Sequence, residues 1–230
     1  INFLSDRLNI TKDKKDYLLE GSLRNKKSSL NDQLLNVIKF RYPQLDLINT
    51  KFESKNDFSF NINDKFKVKN LVINSSILIN SSQLKKNNLI NKNFLEINEL
   101  IDLKNHELKG SYANKKLSIE GKGQVKFQNK FELIDYKLKN NGSNLNLVSN
   151  IELSELDIKN QNFIREYLPK TKDILNLEDH KIQIIYQDDI LALEGLGKIK
   201  LEKELNQIKY FFSTKDKKYN FKTDLEINDT

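Results

Sequence analysis

A stretch of eleven residues, LALEGLGKIKL from Leu191 to Leu201, has a near copy, LSIEGKGQVKF, at Leu117 to Phe127. The match runs without a gap from His106 against His180 to Leu153 against Ile227, a constant offset of 74 residues with eleven identities. A duplication held in register over that length means that one supersecondary unit is repeated, and such units bury their apolar faces by stacking on one another. Whatever else the chain does, its fold has to be a stack of these units.

In the first copy Leu117, Ile119, Val125 and Phe127 alternate with Ser118, Glu120, Gln124 and Lys126, the period of two that marks a half-buried strand. Gly121 and Gly123 fall in phase with the apolar residues. Gly195 and Gly197 do the same among Leu191, Leu193, Ile199 and Leu201, and Leu196 alone strays onto the polar face. Eleven residues at about 3.3 Å each make a strand of about 36 Å whose apolar face carries no side chain at its middle. Glycine weakens a strand and is tolerated where the sheet bends or where something approaches the backbone closely. Two readings follow: a bend or bulge in an ordinary sheet, or a trough on the apolar face that admits a ligand chain. The flanking segments complete a four-strand meander. Leu108 and Tyr112 precede the glycine strand, Ile134, Tyr136 and Leu138 follow it, and Leu145, Leu147, Ser149, Ile151 and Leu153 close the unit. Turns at Asn114 to Lys116 and Asn140 to Asn144, matched by Gln187 to Asp189 and Lys215 to Lys218, make neighbouring strands antiparallel.

Hydrophobic residues are 37% of the 230 and charged residues 31%, which suits a sheet with one wet face better than a two-layer core. An apolar face spread over many strands then needs a helix, a second sheet or lipid to cover it. The net charge of +7 invites a nucleic-acid reading, but only Arg7, Arg24, Arg41 and Arg165 among 39 basic residues are arginines, the side chain best suited to phosphate and base recognition. The lysines are interleaved with acids, and heavy Lys, Asn and Ile use is what an AT-rich genome writes. That pattern argues against nucleic acid and leaves room for a weak attraction to an anionic membrane surface. There is no cysteine, so disulfides, thiolate catalysis and cysteine metal sites are unavailable, and an oxidising compartment is acceptable. The chain opens on Ile1 and has no run of about 18 apolar residues, so it is expected to be a piece of a longer protein whose anchor or targeting signal lies elsewhere.

Three regions are expected: a β-rich segment over 1–105, a first module over 106–160, and a connecting helical turn with the second module over 161–230. Within the first, Tyr17 to Gly21 faintly echo the Leu-x-Glu-Gly pattern. The four-residue recurrence of Leu30, Leu34 and Ile38 predicts a short amphipathic helix near 29–40, stopped by Pro43. Alternation from Phe58 to Ile79 predicts three or four strands, and residues 84–103 read as a loop with one strand near Phe94 to Ile97. FIREYL, ended by Pro169, reads as a helical turn, with DILNL (173–177) as a second.

No catalytic constellation is found. His106 and His180 are the only histidines and occupy equivalent positions, one per module, too far apart for a metal pair and expected at a surface or edge. Asp188 and Asp189 read as turn residues. Gly195-Leu196-Gly197 lacks the following helix of a phosphate-cradling loop, and there is no nucleophile elbow. The expectation is a protein that is not an enzyme and holds no metal or cofactor.

The pair IEGKGQVKF and LEGLGKIKL, each followed by a tyrosine-bearing strand (Tyr136, Tyr210) and by a strand ending IEL or LEI, resembles the AsmA-like superfamily of bacterial envelope proteins, in particular its long repeat-containing members. NFIREYLPKTKDILNLEDHKI resembles a recurring feature of the same proteins, and the likeness covers roughly residues 56–230. The resemblance implies a mainly β, elongated, curved antiparallel sheet, a β-groove built from four-strand meanders with a few short helices. It also implies a periplasmic body anchored in the inner membrane by a segment outside this chain. The implied function is phospholipid transport between inner and outer membranes, with acyl chains in an apolar groove and outer-membrane components as further partners. The residues expected to line that groove are Leu117, Ile119, Val125, Phe127, Leu191, Leu193, Ile199 and Leu201, with Gly121, Gly123, Gly195 and Gly197 setting clearance or curvature. The main alternative is a structural or adhesive β-sandwich or scaffold module that binds no lipid. A glycan-binding β protein is a further rival, weakened by the absence of Trp.

Overall fold

The computed structural model describes residues 3–13, 15–33, 35–36, 46–85, 98–142, 144–159, 173–201, 204–215 and 218–226. Twelve strands follow one another: β1 (Phe3–Asp13), β2 (Asp16–Ser29), β3 (Leu47–Asn63), β4 (Val68–Lys85), β5 (Leu100–Ala113), β6 (Lys116–Lys126), β7 (Glu132–Asn140), β8 (Leu145–Lys159), β9 (Ile174–Gln187), β10 (Ile190–Leu201), β11 (Glu204–Lys215) and β12 (Lys218–Glu226). They form a single antiparallel sheet in strict sequence order, with β1 and β12 as separate edges, so the sheet is open. At about 4.8 Å per strand the edges are about 50 Å apart along the sheet.

The turns come from local chemistry. Asn114 and Lys115 (φ 51 and 62) and Asp188 and Asp189 (φ 51 and 60) make two-residue hairpin loops with both central residues left-handed, the geometry whose twist matches the strands it joins. Up-and-down order then puts the β1–β2, β3–β4, β5–β6, β7–β8, β9–β10 and β11–β12 turns along one long rim. The opposite strand ends, where β2 leads to β3, β4 to β5, β6 to β7, β8 to β9 and β10 to β11, lie along the other.

The strand register reveals three modules of four strands: β1 to β4, β5 to β8 and β9 to β12. In each, two residues of the first strand face one residue of the second, forming a bulge: Asn105 and His106 against Gly123, Asp179 and His180 against Gly197, and Ser5 and Asp6 against Leu23. Asn105 and Asp179 take the left-handed conformation there (φ 52 and 54), which Asn and Asp tolerate best among residues with a side chain. The β-rich segment expected over 1–105 therefore holds a diverged third copy, of which the Leu-x-Glu-Gly echo at Gly21 is the visible trace. The strand that carries His106 begins at Leu100, so the break between modules falls before it.

Several local expectations change. The alternation from Phe58 to Ile79 belongs to two long strands, β3 and β4, whose phase shifts at a bulge containing Asn70 (φ 53). DILNL is the opening of β9 and not a helical turn: Leu175 and Leu177 pair with Ile158 and Leu156 of β8, and the Asp179 bulge hides their phase relation to Ile182 and Ile184. Of the helix expected near 29–40, Ser29 instead ends β2 and Leu30 N–H donates to the Thr50 carbonyl at 2.9 Å, while 32–33 and 35–36 are helical, with Leu35 N–H donating to the Asn31 carbonyl at 3.0 Å. Residues 34 and 37–40 of that expected helix, the strand near Phe94 to Ile97 and FIREYL with Pro169 lie outside the described residues.

Each strand turns its apolar row to one face. On that face Ile151, Leu153, Leu156, Leu175, Leu177 and Ile199 form a buried cluster toward the connection rim. Substantial packing among the described strands runs only between sequence neighbours, so the described strands form no second sheet over the apolar face. The accessible surface, 16094 Å², is about one and a half times the roughly 10,800 Å² of a compact globule of 27.0 kDa. The opposite face carries cross-strand ion pairs, Lys122 to Glu107 at 3.2 Å and Lys209 to Glu194 at 3.4 Å, all well exposed and therefore weak.

Candidate functional site

The apolar face is the candidate site, and its glycines are already filled. Gly121 stands opposite Tyr136 in the ladder and Gly195 opposite Tyr210. A Cβ on Gly121 would lie 2.5 Å from Tyr136 Cζ and 2.7 Å from Leu108 Cδ2, and one on Gly195 would fall on the Tyr210 ring. Gly123 and Gly197 lie under the bulge histidines, where a Cβ would come within 2.8 Å of the Cα of His106 and of His180. The clearance expected for a ligand is thus occupied by a floor of rings, each lying across the strand beside it, and the close-approach reading of these glycines holds with a neighbouring side chain as the visitor.

The first module shows the same rule through its exception. Gly21 faces Phe58, whose Cζ would be 2.5 Å from an added Cβ, so ring and glycine are both kept. At the bulge, however, the histidine position holds Asp6, whose carboxylate pairs with Arg24 Nε at 2.7 Å, and the facing residue is Leu23. Where no ring must be housed, a full-sized side chain stands in place of glycine.

The histidines are not at a surface or edge, as expected, but buried, His106 at 2% and His180 at 1% exposure. The Lys198 carbonyl can only accept, so His180 Nε2 carries the proton and donates to it at 2.8 Å; Nδ1 then accepts from the Tyr210 hydroxyl at 3.1 Å. His106 Nε2 donates likewise to the Gln124 carbonyl at 2.9 Å. Burial holds both imidazoles below their ordinary pKa, opposed by those same carbonyl bonds, so the neutral form is favoured. Burial also pushes the Tyr136 hydroxyl up and the Tyr210 hydroxyl up to about 12. These rings pack against the backbone of the neighbouring strand and brace the sheet.

The expected lining residues divide by position. Leu117, Ile119, Leu191 and Leu193, toward the hairpin rim, are half-buried and reachable, as are Phe127 and Leu201 at the far ends of their segments. Val125 and Ile199 are 3% and 4% exposed and present almost no surface. Register adds residues that sequence reasoning left out of the site: Ile184 of β9 lies beside Leu193, and Leu138 of β7 lies beside Ile119. Their even alternation was the available signal, but only pairing shows which rows adjoin. Leu196 is 53% exposed on the polar face, where its phase placed it.

The polar face has two shallow depressions of about 400 and 450 Å³, the first among Lys55, Asp57, Asn74, Lys109 and Glu120, with charges of mixed sign and no histidine. Among the described residues no three His, Cys, Asp or Glu side chains gather as metal ligands, and no helix is long and apolar enough to cross a membrane. What the apolar face offers is contact: a partly exposed hydrocarbon surface with flat aromatic rings set into it, interrupted in the first module by Asn25, Ser54 and Asn56, which hydrogen-bond to one another. Compared with protein-family models, curated proteins and solved structures, the chain matches none.

Proposed function

We propose that this chain is a segment of an AsmA-like envelope protein that carries phospholipid along an apolar sheet face, in the periplasm between inner and outer membranes. The observation that carries the reading is a partly exposed apolar face on an open sheet of twelve strands, with no second sheet over it among the described residues. Lipid is the cover that fits. An acyl chain laid on Leu117, Ile119, Leu191 and Leu193 removes apolar surface on both sides from water at about 0.8 kcal/mol per buried methylene, while the headgroup stays in solvent. The tyrosine rings over Gly121 and Gly195 keep the floor smooth, because a ring lying flat on a glycine protrudes less than one standing beside a full side chain. Movement would be passive sliding across strands, needing no catalytic group.

The test is mass spectrometry of organic extracts of the purified protein, beside two variants. Leu193→Asn with Ile119→Asn puts amides on the apolar face; Leu196→Asn makes the same change on the polar face. Near-stoichiometric phospholipid in the wild type and in Leu196→Asn, with loss from a double variant whose circular dichroism is unchanged, supports the conduit. Equal or negligible lipid in all three overturns it and leaves a structural scaffold as the better account. The glycines are the wrong targets, since enlarging them displaces Tyr210 or His180 first.

A further inference from the structure

The β3–β4 hairpin ends in a feature that neither the sheet nor the trough requires. Phe66 is 85% exposed and sits at φ 56, a conformation that is an outlier for a bulky side chain. The turn is well determined. Asn63 Oδ1 accepts from Lys65 N–H at 3.1 Å and Lys67 N–H at 2.8 Å, Phe66 N–H donates to the Asn63 carbonyl at 2.9 Å, and Asn63 N–H donates to the Lys67 carbonyl at 3.2 Å. A left-handed position in such a loop ordinarily takes glycine or asparagine, and the β5–β6 and β9–β10 turns of this chain fill theirs with the polar residues Asn114, Lys115, Asp188 and Asp189. Phenylalanine is therefore not there for the sake of the turn.

Its surroundings say what it suits. Tyr17, Ile62 and Val68 stand side by side in the ladder on the apolar face just below the tip, and Tyr17 and Val68 are 42% and 53% exposed. Around them on the same rim are the exposed lysines Lys12, Lys15, Lys65 and Lys67, with Lys69 paired to Asp16 at 3.2 Å. The acids on this rim are Asp13 and Asp16, flanking the β1–β2 turn, and Asp64 in the β3–β4 turn. A rigid, outward aromatic with an aromatic and an aliphatic neighbour behind it, ringed by flexible cations, has the composition of an interfacial anchor: rings seat among headgroups while lysines reach phosphates. We infer that the β3–β4 hairpin tip docks this end of the sheet onto an anionic lipid bilayer, with Phe66 inserted at the headgroup level. The inference stands on the hairpin alone and does not need lipid on the apolar face.

The chain contains no tryptophan, so Phe66→Trp supplies a single emitter at the tip. With phosphatidylcholine vesicles containing phosphatidylglycerol, its emission should shift to the blue and be quenched by brominated acyl chains, and with pure phosphatidylcholine vesicles it should not. In vesicle sedimentation, Phe66→Asn keeps the left-handed turn and should weaken binding about tenfold. Lys65→Gln with Lys67→Gln should weaken it roughly fivefold per lysine. An unshifted spectrum overturns the proposal. Binding undiminished in Phe66→Asn, or equal on neutral and anionic vesicles, overturns it as well. Leu193→Asn with Ile119→Asn separates this proposal from the conduit, because that variant should lose extracted lipid yet sediment with anionic vesicles like the wild type.

Discussion

Replacing Gly195 by alanine tests the ring-on-glycine account directly. The added Cβ would fall on the Tyr210 ring, at separations real Cβ atoms do not show, and the three nearest heavy atoms all belong to Tyr210, so Tyr210 must swing away. Doing so breaks its hydrogen bond to His180 Nδ1, worth about 1 kcal/mol. It also separates two rings now 5.7 Å apart, worth about 1 kcal/mol, and crowds the neighbouring core by about 1–3 kcal/mol. Removing glycine's backbone freedom from a strand returns at most about 1 kcal/mol. The expected net loss is roughly 2–4 kcal/mol, read as a lower urea midpoint at unchanged slope. Tyr210→Ala is destabilising by itself, but with the ring gone Gly195→Ala should become neutral or slightly stabilising. The double-mutant cycle should then show a coupling of at least about 2 kcal/mol. If Gly195→Ala alone lies within about 0.5 kcal/mol of the wild type, or the two changes add, the glycine is not there to house the ring and the reasoning fails.

The buried histidines make stability depend on pH with a definite sign. Both have pKa values below 6.5 in the fold, so the unfolded chain binds protons first as pH falls; stability is full above 6.5 and declines below it toward the folded values. Urea midpoints taken on either side of 6.5 should show that decline, and it should shrink in His180→Gln. Glu132, 5% exposed, accepts from Ser154 N–H at 2.8 Å and from its hydroxyl at 2.7 Å, so Glu132→Ala removes two hydrogen bonds to a carboxylate and should cost about 1–3 kcal/mol by the same assay. In the first module no ring covers Leu23, so Leu23→Gly should cost about 2 kcal/mol in lost burial and added backbone freedom. A neutral result there would mean that the exchange of leucine for glycine between modules has no packing basis.

What the sequence determined by itself was the secondary structure and its sidedness. A period of two at Leu117 to Phe127 and Leu191 to Leu201, broken by Asn, Asp and Lys turns, can bury only one face of an antiparallel sheet, and the 74-residue repeat makes that sheet modular. Where phase was interrupted, the reading slipped. Bulges at Asp179 and Asn70 move the apolar row by one position, which disguised the start of β9 and split β3 and β4 into extra pieces. The first module was nearly invisible because its bulge carries Asp6 and Leu23 where the others carry histidine and glycine. The tertiary structure alone decided what the glycines are for. Spacing places a gap at Gly121, Gly123, Gly195 and Gly197, but only pairing brings Tyr136, His106, Tyr210 and His180 beside them. The physical reason is that periodicity fixes which way a side chain points, whereas the neighbour it meets is set by register, and register is a property of two strands together.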